Sequence, residues 1–175
     1  MLLTACDAPK NNIPSPTSSP QVEPLTRITQ PGTAISVKPE QIVISKGQIV
    51  YVPVYSHIYH GDKQEQFPLT VTLSIRNTSL TETIVIRSVR YYNSGGKLVK
   101  EHTEGNLQLP ALATTEFFIP QQDSSGGSGA NFIVEWVSEK KTVTEPIIEA
   151  VMISTRLQQG ISFVTLGHVI QNIKP

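Results

Sequence analysis

A single cysteine, Cys6, has nothing to pair with inside the chain, so an internal disulfide and an all-cysteine metal centre are both excluded. Charge is sparse and balanced, with 14 Lys and Arg against 14 Asp and Glu. Without a basic face the chain is a poor match for nucleic acid, and it lacks the cationic excess that docks proteins on anionic lipid. No run approaches the ~18 apolar residues of a membrane span. There is no P-loop and no dinucleotide-binding fingerprint. No pair of carboxylates stands out for acid–base work, and Glu145 and Glu149 read as solvent-facing. The expectation is a protein without a cofactor that is not an enzyme.

What the N-terminus does have is Leu3-Thr4-Ala5-Cys6, which reads as a lipobox, the signal after which bacteria cleave an exported precursor and lipidate the new N-terminal cysteine. Only Met1 to Ala5 precede the cysteine, whereas a working signal has a basic n-region and about 7–15 apolar residues. The expectation is therefore a start upstream of Met1, or a trimmed leader. A diacylated cysteine with an added N-acyl chain (palmitate-type) exceeds the two-chain requirement for stable anchoring. Cys6 is thus the expected lipidation site, and the periplasmic face of a membrane the expected location. Asp7 resembles the residue that holds some lipoproteins at the inner membrane, but sorting rules differ among bacteria and the membrane stays open.

Three regions follow: a signal remnant over 1–6, a tether over 7–47 and a folded body over 48–173. The tether holds Pro9, Pro14, Pro16, Pro20, Pro24, Pro31 and Pro39, seven of the chain's 13 prolines, among Asn, Ser, Thr and Gln. Such a stretch has too few apolar residues to offset the entropy of ordering it, and is expected to be disordered. About 40 residues in polyproline II conformation, at ~3.1 Å each, reach about 120 Å, enough to hold a domain clear of a bilayer.

The body is long enough to bury one core. Leu69, Val71, Leu73 and Ile75 alternate with polar residues, the period of a half-buried strand. Further strands are expected over 48–55, where Pro53 suggests an edge or a bulge, and over 83–92, apolar on both faces in part. Asn93-Ser94-Gly95-Gly96 is a turn from which 97–100 returns. Others follow over 114–119, over 131–138 with Phe132, Val134 and Trp136 on one face, and over 147–155 and 161–167 as a hairpin across Leu157-Gln158-Gln159-Gly160. Thr144-Glu145-Pro146 has the form of a helix start, but the β-rich run from Val151 to Thr155 favours strand. The fold class is all-β, an immunoglobulin-like β-sandwich of about seven strands. With no cysteine pair its stability rests on packing, and Trp136, the one tryptophan, is the expected core anchor.

Two constellations carry possible chemistry. Gly126-Gly127-Ser128-Gly129-Ala130 approaches the G-x-S-x-G elbow of serine hydrolases, yet the elbow needs a strand before it and a helix after it, and here a strand follows. The same glycines let backbone N–H groups curl into an anion-binding nest, with Asp123 or Asn131 orienting a polar ligand. Asp123, Gly126, Gly127, Ser128, Gly129 and Asn131 are thus candidate binding residues beside the plainer expectation of a loop joining two strands. His57-x-x-His60-Gly61-Asp62 groups three possible zinc or copper ligands, His57, His60 and Asp62. In a strand, however, His57 and His60 face opposite ways, and locally hydrogen-bonded surface histidines are the simpler expectation. Asn77-Thr78-Ser79 ends a strand and matches a glycosylation sequon by chance.

Several segments stand out when taken together: Tyr51-Val52-Pro53-Val54-Tyr55-Ser56, Val89-Arg90-Tyr91-Tyr92 with Gly96-Lys97-Leu98-Val99, Gly126-Gly127-Ser128-Gly129-Ala130-Asn131-Phe132 with Val134-Glu135-Trp136, and Glu149-Ala150-Val151-Met152. In that order they resemble the bacterial domain-of-unknown-function family 3124, over nearly the whole body. The resemblance implies an exported, often lipid-anchored protein, and brings no assigned activity. The function expected is a lipid-anchored envelope accessory module that contacts a protein partner through sheet edges and the 123–131 loop. The alternatives are a small-ligand or metal-binding periplasmic receptor and, third, a serine hydrolase through Ser128.

Overall fold

The computed structural model describes residues 35–37, 42–62, 65–155 and 160–174, the first three by backbone alone. Cys6, the lipobox, most of the 7–47 tether and the turn through Leu157 to Gln159 lie outside the described residues.

Thirteen strands and no helix occur among the described residues: β1 (Ile35–Val37), β2 (Lys46–Val54), β3 (His57–His60), β4 (Glu65–Pro68), β5 (Thr70–Arg76), β6 (Ile84–Tyr92), β7 (Leu98–Glu101), β8 (Asn106–Leu109), β9 (Thr114–Ile119), β10 (Ala130–Ser138), β11 (Ile147–Ser154), β12 (Ile161–Leu166) and β13 (His168–Ile173). One sheet runs β1-β8-β6-β10-β2-β13, with β7 also paired to β6; the other runs β12-β11-β5-β9; β3 and β4 form a separate hairpin. The fold is an all-β sandwich, as expected. Local pattern shows only about seven of these strands, because β1, β3, β4, β8 and β13 are short or mostly exposed and carry no sustained alternation.

Alternation decides what each strand buries. Val71, Leu73 and Ile75 of β5 and Ile148, Ala150 and Met152 of β11 meet Val50, Val52 and Val54 of β2 and Phe132, Val134 and Trp136 of β10 in one core. Trp136 is fully buried, as its role of core anchor requires. β6 breaks the rule of two. Ile84 and Ile86 point inward, and so do Val89 and Tyr91, an odd step away. Trp136 pairs with Ile86 but Glu135 pairs with Ser88, so Arg87 is an extra residue in a β-bulge that resets the phase. A run that reads as apolar on both faces is therefore two inward-facing halves.

Val85 and Val137 are buried on the opposite face. Ile42 and Ile44 account for this, since they line the same surface clefts as those valines. Sheet pairing thus begins inside the stretch that composition assigns to the tether: Ile35–Val37 pair with Asn106–Gln108, and β2 begins at Lys46. Pairing along a free strand edge needs only backbone donors and acceptors, which leave no apolar pattern to read.

Pro53 lies in a central strand rather than at an edge, but beyond the end of the β2–β13 ladder, which stops at Tyr51. Residues 147–154 are strand, not helix, paired on both sides. The chain leaves β12 at one edge of the four-stranded sheet, crosses at Gly167 and enters β13 at the edge of the other sheet. A side chain at Gly167 would meet Val50 Cγ1 at 2.6 Å and the Ile148 carbonyl at 2.9 Å, so only glycine fits the crossing.

Candidate functional site

Four segments meet at one end of the sandwich: the end of β2, the β3–β4 hairpin, the β6–β7 turn and the 120–129 loop. The turn forms as its sequence predicts. The Asn93 side-chain oxygen accepts from the N–H groups of Gly95 and Lys97, both at 3.0 Å, and Gly96 takes a φ of +76°. Ser94 then holds the glycine loop. Its N–H (2.8 Å) and hydroxyl (3.1 Å) both donate to the Gly126 carbonyl, and its oxygen accepts from Gly129 N–H at 2.8 Å. Ser56 does the same for Gly127, donating through its N–H at 3.0 Å and its hydroxyl at 3.1 Å.

Beneath the loop lies Tyr91, fully buried, its ring 4.9 Å from that of Phe132. Its hydroxyl has no hydrogen-bond partner of good geometry. Burial, then the nearby Asp123 carboxylate, push its pKa up to about 12, with Ser56 opposing. His102 sits alongside, its ring 5.7 Å from both Phe117 and Phe132. Burial and then Lys100 lower its pKa, against the opposite pull of Glu101 and Asp123.

The candidate loop residues are accordingly occupied with one another and with the body. Asp123 accepts from the N–H (3.0 Å) and hydroxyl of Ser125. The N–H groups of Ser125, Gly127 and Gly129 all have partners, which leaves little of an anion nest. Asn131 belongs to β10 and pairs with Pro53 and Tyr92. Ser128 runs directly into β10, so the helix of a hydrolase elbow is not there.

The expected metal ligands are not brought together. His57 is buried with both ring nitrogens unpartnered and its ring 5.2 Å from Tyr59. His60 is exposed, 4.0 Å from the Glu65 carboxylate, and Asp62 sits in the exposed turn beyond. An odd separation in a strand puts the two histidines on opposite faces. Among the described residues no three His, Cys, Asp or Glu side chains form a group able to hold a metal.

The hairpin and the loop do wall a cleft of about 300 Å³, lined by Gln66, Pro68, Gln121, Gln122 and Ser124. Gln121 braces it, donating to the Pro68 carbonyl and the Ser154 hydroxyl, both at 3.0 Å. Its walls are uncharged. Sequence reasoning missed the roles of Ser56, Ser94 and the Gln121 brace, although Ser56 ends the Tyr51–Ser56 motif and Ser94 lies in the Asn93–Gly96 turn.

A second feature lies on the outer face of the four-stranded sheet. Register aligns Phe118, Thr72, Val151 and Val164 in one row across β9, β5, β11 and β12. Phe118 is 56% exposed and Val164 54%, with Ile147, Ile153 and Leu166 exposed on the same face. Arg76 and Glu149 pair at 3.2 Å on its flank.

The motifs from Tyr51 to Met152 fall within residues 47–170, which match a family model described as protein of unknown function, DUF3124. The chain belongs to the DUF3124 family. No curated protein matches it. Among solved structures, the one described as the crystal structure of Thermotoga maritima 1070 is similar, at 11% identity and a TM-score of 0.43, over 69% of this chain and 92% of that one.

Proposed function

We propose that this DUF3124 protein is an extracytoplasmic interaction module, lipid-anchored at Cys6, that binds a protein in the cell envelope through the outer face of its four-stranded sheet. The observation that carries the reading is the apolar surface of Phe118, Ile147, Ile153, Val164 and Leu166, all exposed on one side of one sheet. Isolated exposed apolar residues are ordinary, but Val151, Ile153, Val164 and Leu166 adjoin on β11 and β12, with Phe118 beyond Thr72 of β5, and an adjoining group is a mark of interaction surfaces. It is a binding rather than a catalytic reading, in keeping with the strand that follows Ser128.

A photo-crosslinking amino acid at Val164 in cells is expected to give discrete adducts that the same probe at exposed Leu80 does not. Equal patterns at the two positions would remove the reading. Anchoring has its own test: a fatty-acid analogue should label the full precursor and fail to label Cys6→Ser.

The uncharged cleft between hairpin and loop favours a second reading, a receptor for a small neutral ligand. Native mass spectrometry of protein isolated gently from its own cells should then show an added mass that denaturation removes. An unadorned mass would count against it.

A further inference from the structure

We propose that the partner on the apolar sheet face is a second copy of this chain, packed face to face about a two-fold axis. The inference rests on the interaction reading above and names its partner. A two-fold interface must be complementary to itself, and the arrangement of side chains meets that condition. The row Phe118, Thr72, Val151 and Val164 crosses all four strands without a charge. Among the described residues the charged side chains of the face, Arg76, Glu116 and Glu149, all lie to one side of that row, by register. An axis along the row sets Phe118, Val151 and Val164 on their own counterparts and keeps each copy's charges away from those of the other.

Shape agrees with this. Two sheets of the same twist pack aligned, about 10 Å apart, and a second copy has the same twist by identity. Four strands ~4.8 Å apart, with about seven residues each, give a footprint of about 400 Å² in projection. Counting side-chain relief, each copy contributes roughly 600 Å², the lower end of stable interfaces. With 14 positive and 14 negative side chains, no net charge opposes self-association. The other sheet differs: its outer face is partly covered by Ile42 and Ile44 of the chain itself.

The test is sedimentation equilibrium on the full chain carrying Cys6→Ser, which keeps it free of lipid. A mass twice that of the 19.2 kDa chain is expected at micromolar concentration. Phe118→Lys and Val164→Lys, each at a position more than half exposed, should weaken the dimer at least about tenfold by setting like charges together. Leu80→Lys should leave it unchanged, and at concentrations low enough for the parent to be monomeric all three variants should keep its urea midpoint. A monomer at 200 µM, or a dimer that both lysine variants leave intact, overturns the inference. A monomer that still crosslinks to another protein from Val164 in cells overturns the two-fold partner alone and leaves the interaction reading standing.

Discussion

Gly126 and Tyr91 occupy one space: a methyl group on the glycine would overlap the tyrosine hydroxyl and stand 2.8 Å from the Ala130 Cβ. The loop lies flat on the phenol only because this position has no side chain. Gly126→Ala is therefore expected to cost about 2–3 kcal/mol by overpacking, read from urea denaturation. Tyr91→Phe removes a buried, unpartnered hydroxyl and should leave stability equal or up to about 1 kcal/mol higher. Combined, the two should be less damaging than their sum, since the phenylalanine frees part of the space. Strict additivity would show that the contact is not what the glycine serves.

His102 should make stability pH-dependent. Its folded pKa lies below the ordinary 6.5, from burial first and the Lys100 charge second. The unfolded chain takes up a proton that the folded one resists, so the contribution is present above about pH 6.5 and is lost as pH falls toward the folded value. The urea midpoint should drop between pH 7.5 and 5.5, and by less in His102→Gln. An identical drop in both proteins would assign the dependence elsewhere.

Asn77 is a buried joint, not a glycan acceptor. Its amide nitrogen is shared by the carbonyls of Glu82 (2.8 Å), Leu109 and Pro110 (both 3.0 Å), while its oxygen accepts from Ser79 N–H at 3.0 Å. Asn77→Asp puts a carboxylate against three carbonyl oxygens and should cost about 3 kcal/mol or more. A thermal midpoint close to the parent's would contradict this placement.

Leu112 holds a left-handed φ of 61° while 65% exposed. A side chain there pays roughly 1–2 kcal/mol of backbone strain with little packing in return. Leu112→Gly is expected to raise stability by about 0.5–1 kcal/mol after its own entropy cost. A loss would mean that the leucine makes contacts which matter more than its backbone.

The sequence by itself determined the class of fold and much of its frame. The alternation in Thr70 to Arg76, the turn at Asn93 to Gly96 and the buried place of Trp136 all follow from local pattern, because a strand's period and a turn's φ are properties of neighbouring residues. Only the tertiary structure decided the rest. The bulge at Arg87 shows in register, not in composition. The 126–129 loop reads as a nest until Ser56 and Ser94, far off in the chain, take up its carbonyls and an N–H. His57 and His60 are parted because 57–60 is a strand, paired with Glu65–Pro68, which their own spacing does not reveal. Phe118 and Val164 become one surface only when β9 and β12 join the same sheet, since pairing is fixed by which apolar faces meet and not by distance along the chain.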